Sequence, residues 1–263
     1  MTPLARDGWQ VFPAEPAVAN WVAHAAPAAR RAVADLANAG WLRCGGTWFV
    51  GVDVLPNDAA GAVDGSGPLA GRAVAAALAA AGLRRTEWHR GQVSVVYPGY
   101  PRPTPGEGEA ALRYRRNRDA AHLDGLLPVG EARRRMLKEP HAFILGLPLT
   151  QADAGAAPLA VYEGSHHLVR TALGAVLDGL APGDWADTDL TQAYHAVRKK
   201  VFATCRRVML QPAPGQALLI HRLALHGIAP WEEGARADAG GRMIAYFRPV
   251  FPPERTADWL WRD

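Results

Sequence analysis

Cysteine is nearly missing from this chain of 263 residues, which has only Cys44 and Cys205, neither in a metal-ligand spacing. A disulfide-rich scaffold and a thiolate zinc site are therefore excluded, and two free thiols suit a reducing compartment. Long apolar runs are missing as well. The longest, Ala73 to Leu83, is too short and too alanine-rich to span a bilayer, and the N-terminus lacks the charged-then-apolar order of a signal peptide. The expectation is a cytosolic (cytoplasmic) protein without a membrane partner. No internal repeat is present. Aromatic residues are sparse around the basic clusters, so nucleic acid is not favoured as a partner.

What is present is a balanced, core-forming composition: 49% hydrophobic residues and a net charge of +4. That suffices for one domain with a substantial core. The basic residues are mostly arginine and gather at 113–118, at Arg133-Arg134-Arg135, and at Arg198-Lys199-Lys200 with Arg206-Arg207. They read first as solvated faces, and more sharply as a site for an anionic small molecule.

Periodicity and turn residues predict helices over 17–39 with a break near Pro27, 69–81 capped by Gly82, 166–180 and 190–203. Strands are predicted over 47–54, 92–97, 141–150, 159–162, 208–210, 217–221 and 243–247. Short strands separated by Gly/Pro turns suit a mainly β fold, a double-stranded β-helix (jelly-roll, cupin-like barrel) with N-terminal and inserted helices. In that layout residues 1–90 form a helical region packed on a barrel core of 91–250. The loops 98–109 and 231–241 have the composition of a mobile cover.

Chemistry concentrates in His122-Leu123-Asp124. In an extended strand side chains alternate, so His122 and Asp124 leave one face and Leu123 the other. Nine histidines among 25 acidic residues give roughly one such tripeptide by chance, so its context has to decide. That context is Pro214 to Gly227, a turn, an apolar strand, a break and then His226 beside glycine. Two imidazoles and a carboxylate on one face of Fe(II) leave three positions open, enough for a chelating 2-oxo acid and O2. His221 is the competing histidine, read as a packing residue, and His166 and His167 open a helix as structural imidazoles.

These segments, with Pro158 to His166 and Arg242, resemble the phytanoyl-CoA dioxygenase family of Fe(II)/2-oxoglutarate oxygenases over about residues 90 to 250. The resemblance implies His122, Asp124 and His226 as iron ligands and Arg242 as the partner of the 2-oxoglutarate carboxylate. It implies hydroxylation of a small organic molecule, with release of succinate and CO2. Glu163 stands where the family usually has proline, Ile228 where many members have Ser or Thr, and the 226–242 interval is long. Asp124 speaks against halogenation, since related halogenases carry a small residue there.

Arg248 is six residues after Arg242, so both guanidinium groups would leave one strand face and could hold both ends of 2-oxoglutarate. The same spacing resembles the nucleobase demethylases of the wider superfamily. Gln92, Asn117 and Thr150, on or beside predicted strands, are further candidates for co-substrate contact. The competing classes are a cupin-like metalloenzyme that uses no 2-oxoglutarate and so needs no Arg242, and a metal-free binding protein.

Overall fold

A computed structural model describes residues 1–262. Twelve strands occur among them: β1 (Trp9–Phe12), β2 (Leu42–Arg43), β3 (Trp48–Phe49), β4 (Gln92–Val96), β5 (Leu126–Val129), β6 (Arg134–Leu137), β7 (Ile144–Pro148), β8 (Leu159–Tyr162), β9 (Arg207–Leu210), β10 (Ala217–Ile220), β11 (His226–Ile228) and β12 (Arg242–Phe247). Seven α-helices accompany them: α1 (Pro3–Asp7), α2 (Pro16–Ala34), α3 (Arg72–Ala81), α4 (Glu109–Arg118), α5 (Ser165–Leu177), α6 (Thr191–Thr204) and α7 (Asp258–Trp261). A major antiparallel sheet runs β1-β10-β7-β12-β4-β3-β2, a minor sheet runs β11-β8-β9, and β5-β6 form a separate hairpin. Large antiparallel sheet and helices together make the jelly-roll type of fold expected from the sequence.

The central strands are apolar on both faces, which explains their continuous hydrophobic runs: every residue of β4, β7, β8, β10 and β12 is buried. Strand periodicity separates two cores. Val93, Val95, Leu145, Leu147, Leu219, Met243, Ala245 and Phe247 face outward into a cluster with Trp21, Ala25 and Ala77 of α2 and α3. On the opposite face, Ile144, Leu218, Ile220, Ile244 and Tyr246 meet Leu159, Val161 and Leu210 of the minor sheet. The space between the sheets is where the site lies.

Four expectations need correction. Residues 1–90 are more than a helical appendage, because β1, β2 and β3 all join the major sheet. Helix α2 runs through Pro27, which is exposed, and ends at Asp35, whose carboxylate accepts a bond from Ala37 N at 2.9 Å to start a 3-10 turn. The 47–54 strand shrinks to two residues because Asp53 takes a left-handed φ of 55° and turns the chain. Finally, α4 and the β5-β6 hairpin fill stretches that showed no apolar periodicity. Gly82 does cap α3, with φ of 59°.

Candidate metal centre

The backbone brings the two histidines together. His122 N donates to His226 O at 2.8 Å and His226 N to His122 O at 3.1 Å, a reciprocal antiparallel pair. Residues paired in this way project side chains to the same face, and the ring centroids lie 4.9 Å apart. Asp124, two residues on, joins them: its Oδ1 is 3.1 Å from His122 Nε2 and its Oδ2 is 3.8 Å from His226 Nε2. Leu123 points away into the helix-side core.

Both imidazoles have their tautomer set by the main chain. His122 Nδ1 is 3.1 Å from Ala120 O and His226 Nδ1 is 3.0 Å from Ala224 O. A carbonyl oxygen only accepts, so each Nδ1 carries a proton, which leaves each Nε2 as the ring atom turned toward Asp124 and the one available to a metal. One ligand atom from each of the three residues lies within 4.8 Å of the others. Two neutral nitrogens and a carboxylate oxygen in this arrangement are the donor set that suits a divalent transition metal.

Burial alone would raise the Asp124 carboxyl, but the Arg248 guanidinium, the His122 hydrogen bond and the His226 ring together hold it well below the usual carboxylate range. Burial lowers the His226 imidazole, outweighing the pull of Asp124, which keeps it a neutral ligand. Arg248 Nη1 sits 3.2 Å from Asp124 Oδ2, and its backbone N donates to His89 Nε2 at 2.8 Å.

The triad opens on a cavity of about 150 Å³ between the sheets, where Gln92, Ser94, Tyr246 and Arg248 supply polar groups. Trp48, Ile144, Leu159 and Ile228 form its apolar walls. Trp48 Nε1 donates to Ser94 Oγ at 3.0 Å, fixing both side chains. Arg242, Ile244, Tyr246 and Arg248 follow the same face of β12 and its continuation, as period two requires. Arg242 is 1% exposed, and none of its guanidinium nitrogens has a hydrogen-bond partner among the described residues. The Tyr246 hydroxyl approaches Arg242 without a well-aligned hydrogen bond, and burial pushes it up while the Arg242 guanidinium pulls it down. A buried, unpaired guanidinium is costly unless an anion joins it, so the site fits a carboxylate-bearing ligand next to the metal.

The other sequence candidates separate clearly. Gln92 is buried and lines the cavity. Asn117 is exposed on α4 rather than on a barrel strand, and it lines no part of this cavity. Thr150 is committed to the main chain: its hydroxyl donates to Gly241 O at 2.9 Å and accepts from Met243 N at 2.7 Å. It clamps both neighbours of Arg242 rather than reaching the cavity. His221 packs its ring 4.7 Å from His166, away from the triad.

Neither cover segment lines the cavity. The 231–241 stretch is tied down by Trp231 N to Tyr100 O, Arg236 N to Asp153 Oδ2 and Gln151 N to Asp238 Oδ2. The long interval before Arg242 is a pinned surface insertion. Sequence reasoning missed Tyr246 and Trp48. Tyr246 was reachable, since it lies on the Arg242–Arg248 period; period two also groups Trp48 with Val50 and Val52, but nothing in the pattern says that this face walls the site. It also missed Asp119, fully buried, which receives a paired Arg207 guanidinium and the Tyr162 hydroxyl at 3.0 Å and so anchors the segment leading to His122.

No protein-family model and no curated protein sequence matches the chain. Solved structures do. The non-heme α-ketoglutarate-dependent epimerase SnoN from nogalamycin biosynthesis is 16% identical with a TM-score of 0.50, covering 95% of this chain and 83% of its own. The carbocyclase SnoK from the same biosynthesis is 12% identical with a TM-score of 0.48, over 94% and 81%. EctD from S. alaskensis, solved with bound Fe, is 17% identical with a TM-score of 0.44, over 94% and 73%. The chain thus has the fold of a non-heme α-ketoglutarate-dependent enzyme, the fold that the phytanoyl-CoA dioxygenase resemblance implies.

Proposed function

We propose that this protein is an Fe(II)- and 2-oxoglutarate-dependent dioxygenase that hydroxylates a small organic molecule, with release of succinate and CO2. The observation that carries the reading is the pairing of the His122, Asp124 and His226 cluster with a buried guanidinium, Arg242, that has no carboxylate partner among the described residues. A metalloenzyme that used no 2-oxo acid would have no use for that charge.

His122 and His226 would hold the metal through Nε2, and Asp124 through its carboxylate. When bound, the metal supplies open positions at which a 2-oxo acid and O2 react, coupling oxidative decarboxylation to C–H oxidation. Arg242 would pair with the far carboxylate of 2-oxoglutarate, with the Tyr246 hydroxyl as a further donor. Arg248 keeps Asp124 ionised and oriented. Gln92 and Ser94 offer hydrogen bonds along the cavity. The walls of Trp48, Ile144, Leu159 and Ile228 exclude water, which strengthens the Arg242 pair and protects the oxidation from side reactions. Two unpaired cysteines fit a reducing, cytoplasmic setting.

The test is turnover of 2-oxoglutarate by purified protein with Fe(II) under air. Succinate formation should depend on metal, stop on chelation and stop in His226→Ala. With the true substrate, one oxygen atom per succinate should appear in the product. Succinate formation that continues in chelator would refute the reading.

A further inference from the structure

The triad separates two cavities. His122, Asp124 and Arg248 line the central one and also line a second, of about 290 Å³, between the end of α4, the β5-β6 hairpin and α6. The His122 side chain is 48% exposed and lines both. The second cavity gathers Arg135 and Arg198, from two separate arginine clusters of the sequence, together with Tyr114 and Tyr194.

The arginines lie over tyrosine rings. The Arg198 guanidinium carbon stands 5.0 Å from the Tyr114 ring centre and 5.2 Å from that of Tyr194, and Arg135 stands 6.0 Å from Tyr194. A guanidinium held over a ring has five N–H donors and engages few of them there; Arg198 also hydrogen-bonds the Tyr114 hydroxyl, and the donors that remain can meet an anion. Arg135 spends one of these on Leu126 O at 3.4 Å. Neither arginine has a carboxylate partner among the described residues. The two acids in the wall are engaged elsewhere: Asp124 with Arg248 at 3.2 Å, and Glu139 with His141 Nε2 at 3.2 Å. Partial burial and the same two guanidinium groups lower the imidazole of neighbouring His195, a mark of positive potential. Leu126, Leu127 and Pro128 of the hairpin give the remaining wall an apolar character.

We propose that this second cavity receives the primary substrate, a small molecule with an apolar or aromatic body and an oxyanion group held by Arg135 and Arg198, presented to the outer edge of the His122 and Asp124 pair. The proposal rests on the metal reading above for its chemistry, whereas the anion site stands on the arginines alone. A carboxylate and a phosphate share the necessary chemistry, each able to take paired N–H donors.

The test uses protein loaded with Mn(II) and saturating 2-oxoglutarate, which occupies Arg242, and three fluorinated probes followed by 19F NMR: 4-fluorobenzoate, 4-fluorophenyl phosphate and neutral 4-fluorobenzamide. At least one anion should bind about tenfold or more tightly than the amide, and comparison of the two anions identifies the preferred oxyanion. Arg135→Ala and Arg198→Ala should each weaken it about tenfold, while Arg113→Ala, on the exposed side of α4, should not. Arg135→Gln and Arg198→Gln serve if an alanine variant fails to fold. Mn(II) should broaden the bound probe relative to Zn(II) protein. If manganese does not bind, the metal reading fails and the affinities still decide the anion site. Equal affinity for acid and amide, affinity unchanged in both folded arginine variants, or no broadening with manganese demonstrably bound would overturn the proposal.

Discussion

A guanidinium sealed from water without a counter-ion is unstable in proportion to how well it is sealed, and Arg242 is 1% exposed. An anion that enters beside it gains a charge-assisted pair in a medium of low dielectric. Arg242→Ala should therefore weaken metal-dependent 2-oxoglutarate binding by roughly 2 to 5 kcal/mol. Calorimetry on metal-loaded protein measures this, and unchanged affinity would remove Arg242 from the site. Arg242→Lys should recover part only, since an ammonium lacks the planar fork. A second prediction at this scale concerns stability. Burial pushes the His166 imidazole down to about 4, against an ordinary 6.5, and drives His221 down as well. The unfolded chain thus takes up protons near pH 6.5 that the folded chain refuses. The His166 contribution is intact above pH 6.5 and lost as pH falls toward 4, by about 3 kcal/mol. Urea unfolding across that range should show the loss, and His166→Gln should flatten it; a flat profile in the native protein would contradict the burial argument.

Elements position the ligands through close backbone contact. At Gly227, between His226 and Ile228 on β11, an added Cβ would collide with the Asp119 carbonyl and crowd the backbone of Ala121. Backbone atoms cannot swing aside, so Gly227→Ala should part β11 from the 119–122 segment, costing roughly 1–3 kcal/mol or more. It should also lower metal affinity, because the His122–His226 pairing spans that seam. Melting temperature and metal titration of the same variant check both effects; a stable variant with native metal affinity would show that the seam is not needed. Legibility also varied by element. Strands buried on both faces, such as β8 and β12, announced themselves as apolar runs between turn residues. Helix α4 and the β5-β6 hairpin did not, because α4 has no buried residue and the hairpin buries only the paired Leu126 and Leu137, too few to show a period. Asn117 was misplaced for that reason. The triad itself was readable from period two and a histidine beside glycine. Its tautomers and the Thr150 clamp were not: each Nδ1 meets a carbonyl two residues back only because of the local backbone turn, and Thr150 bonds Gly241 from a distant part of the chain.

At the scale of the whole molecule, two sheets enclose a narrow, largely apolar cleft that ends at the triad, while helices cover the far face of the larger one. The N-terminal strands belong to that enclosure, with Trp48 of β3 forming part of the cavity wall. The arrangement places a metal triad at the meeting of two cavities and a lone buried cation behind one of them. Its central claim is that metal and 2-oxoglutarate bind as a unit. Anaerobic calorimetric titration of 2-oxoglutarate into protein with and without Fe(II) tests this most directly. The account predicts one co-substrate per chain with iron, none after chelation, and none in folded His226→Ala protein with His221→Ala unaffected. Equal binding with and without metal, or loss in His221→Ala and retention in His226→Ala, would contradict it.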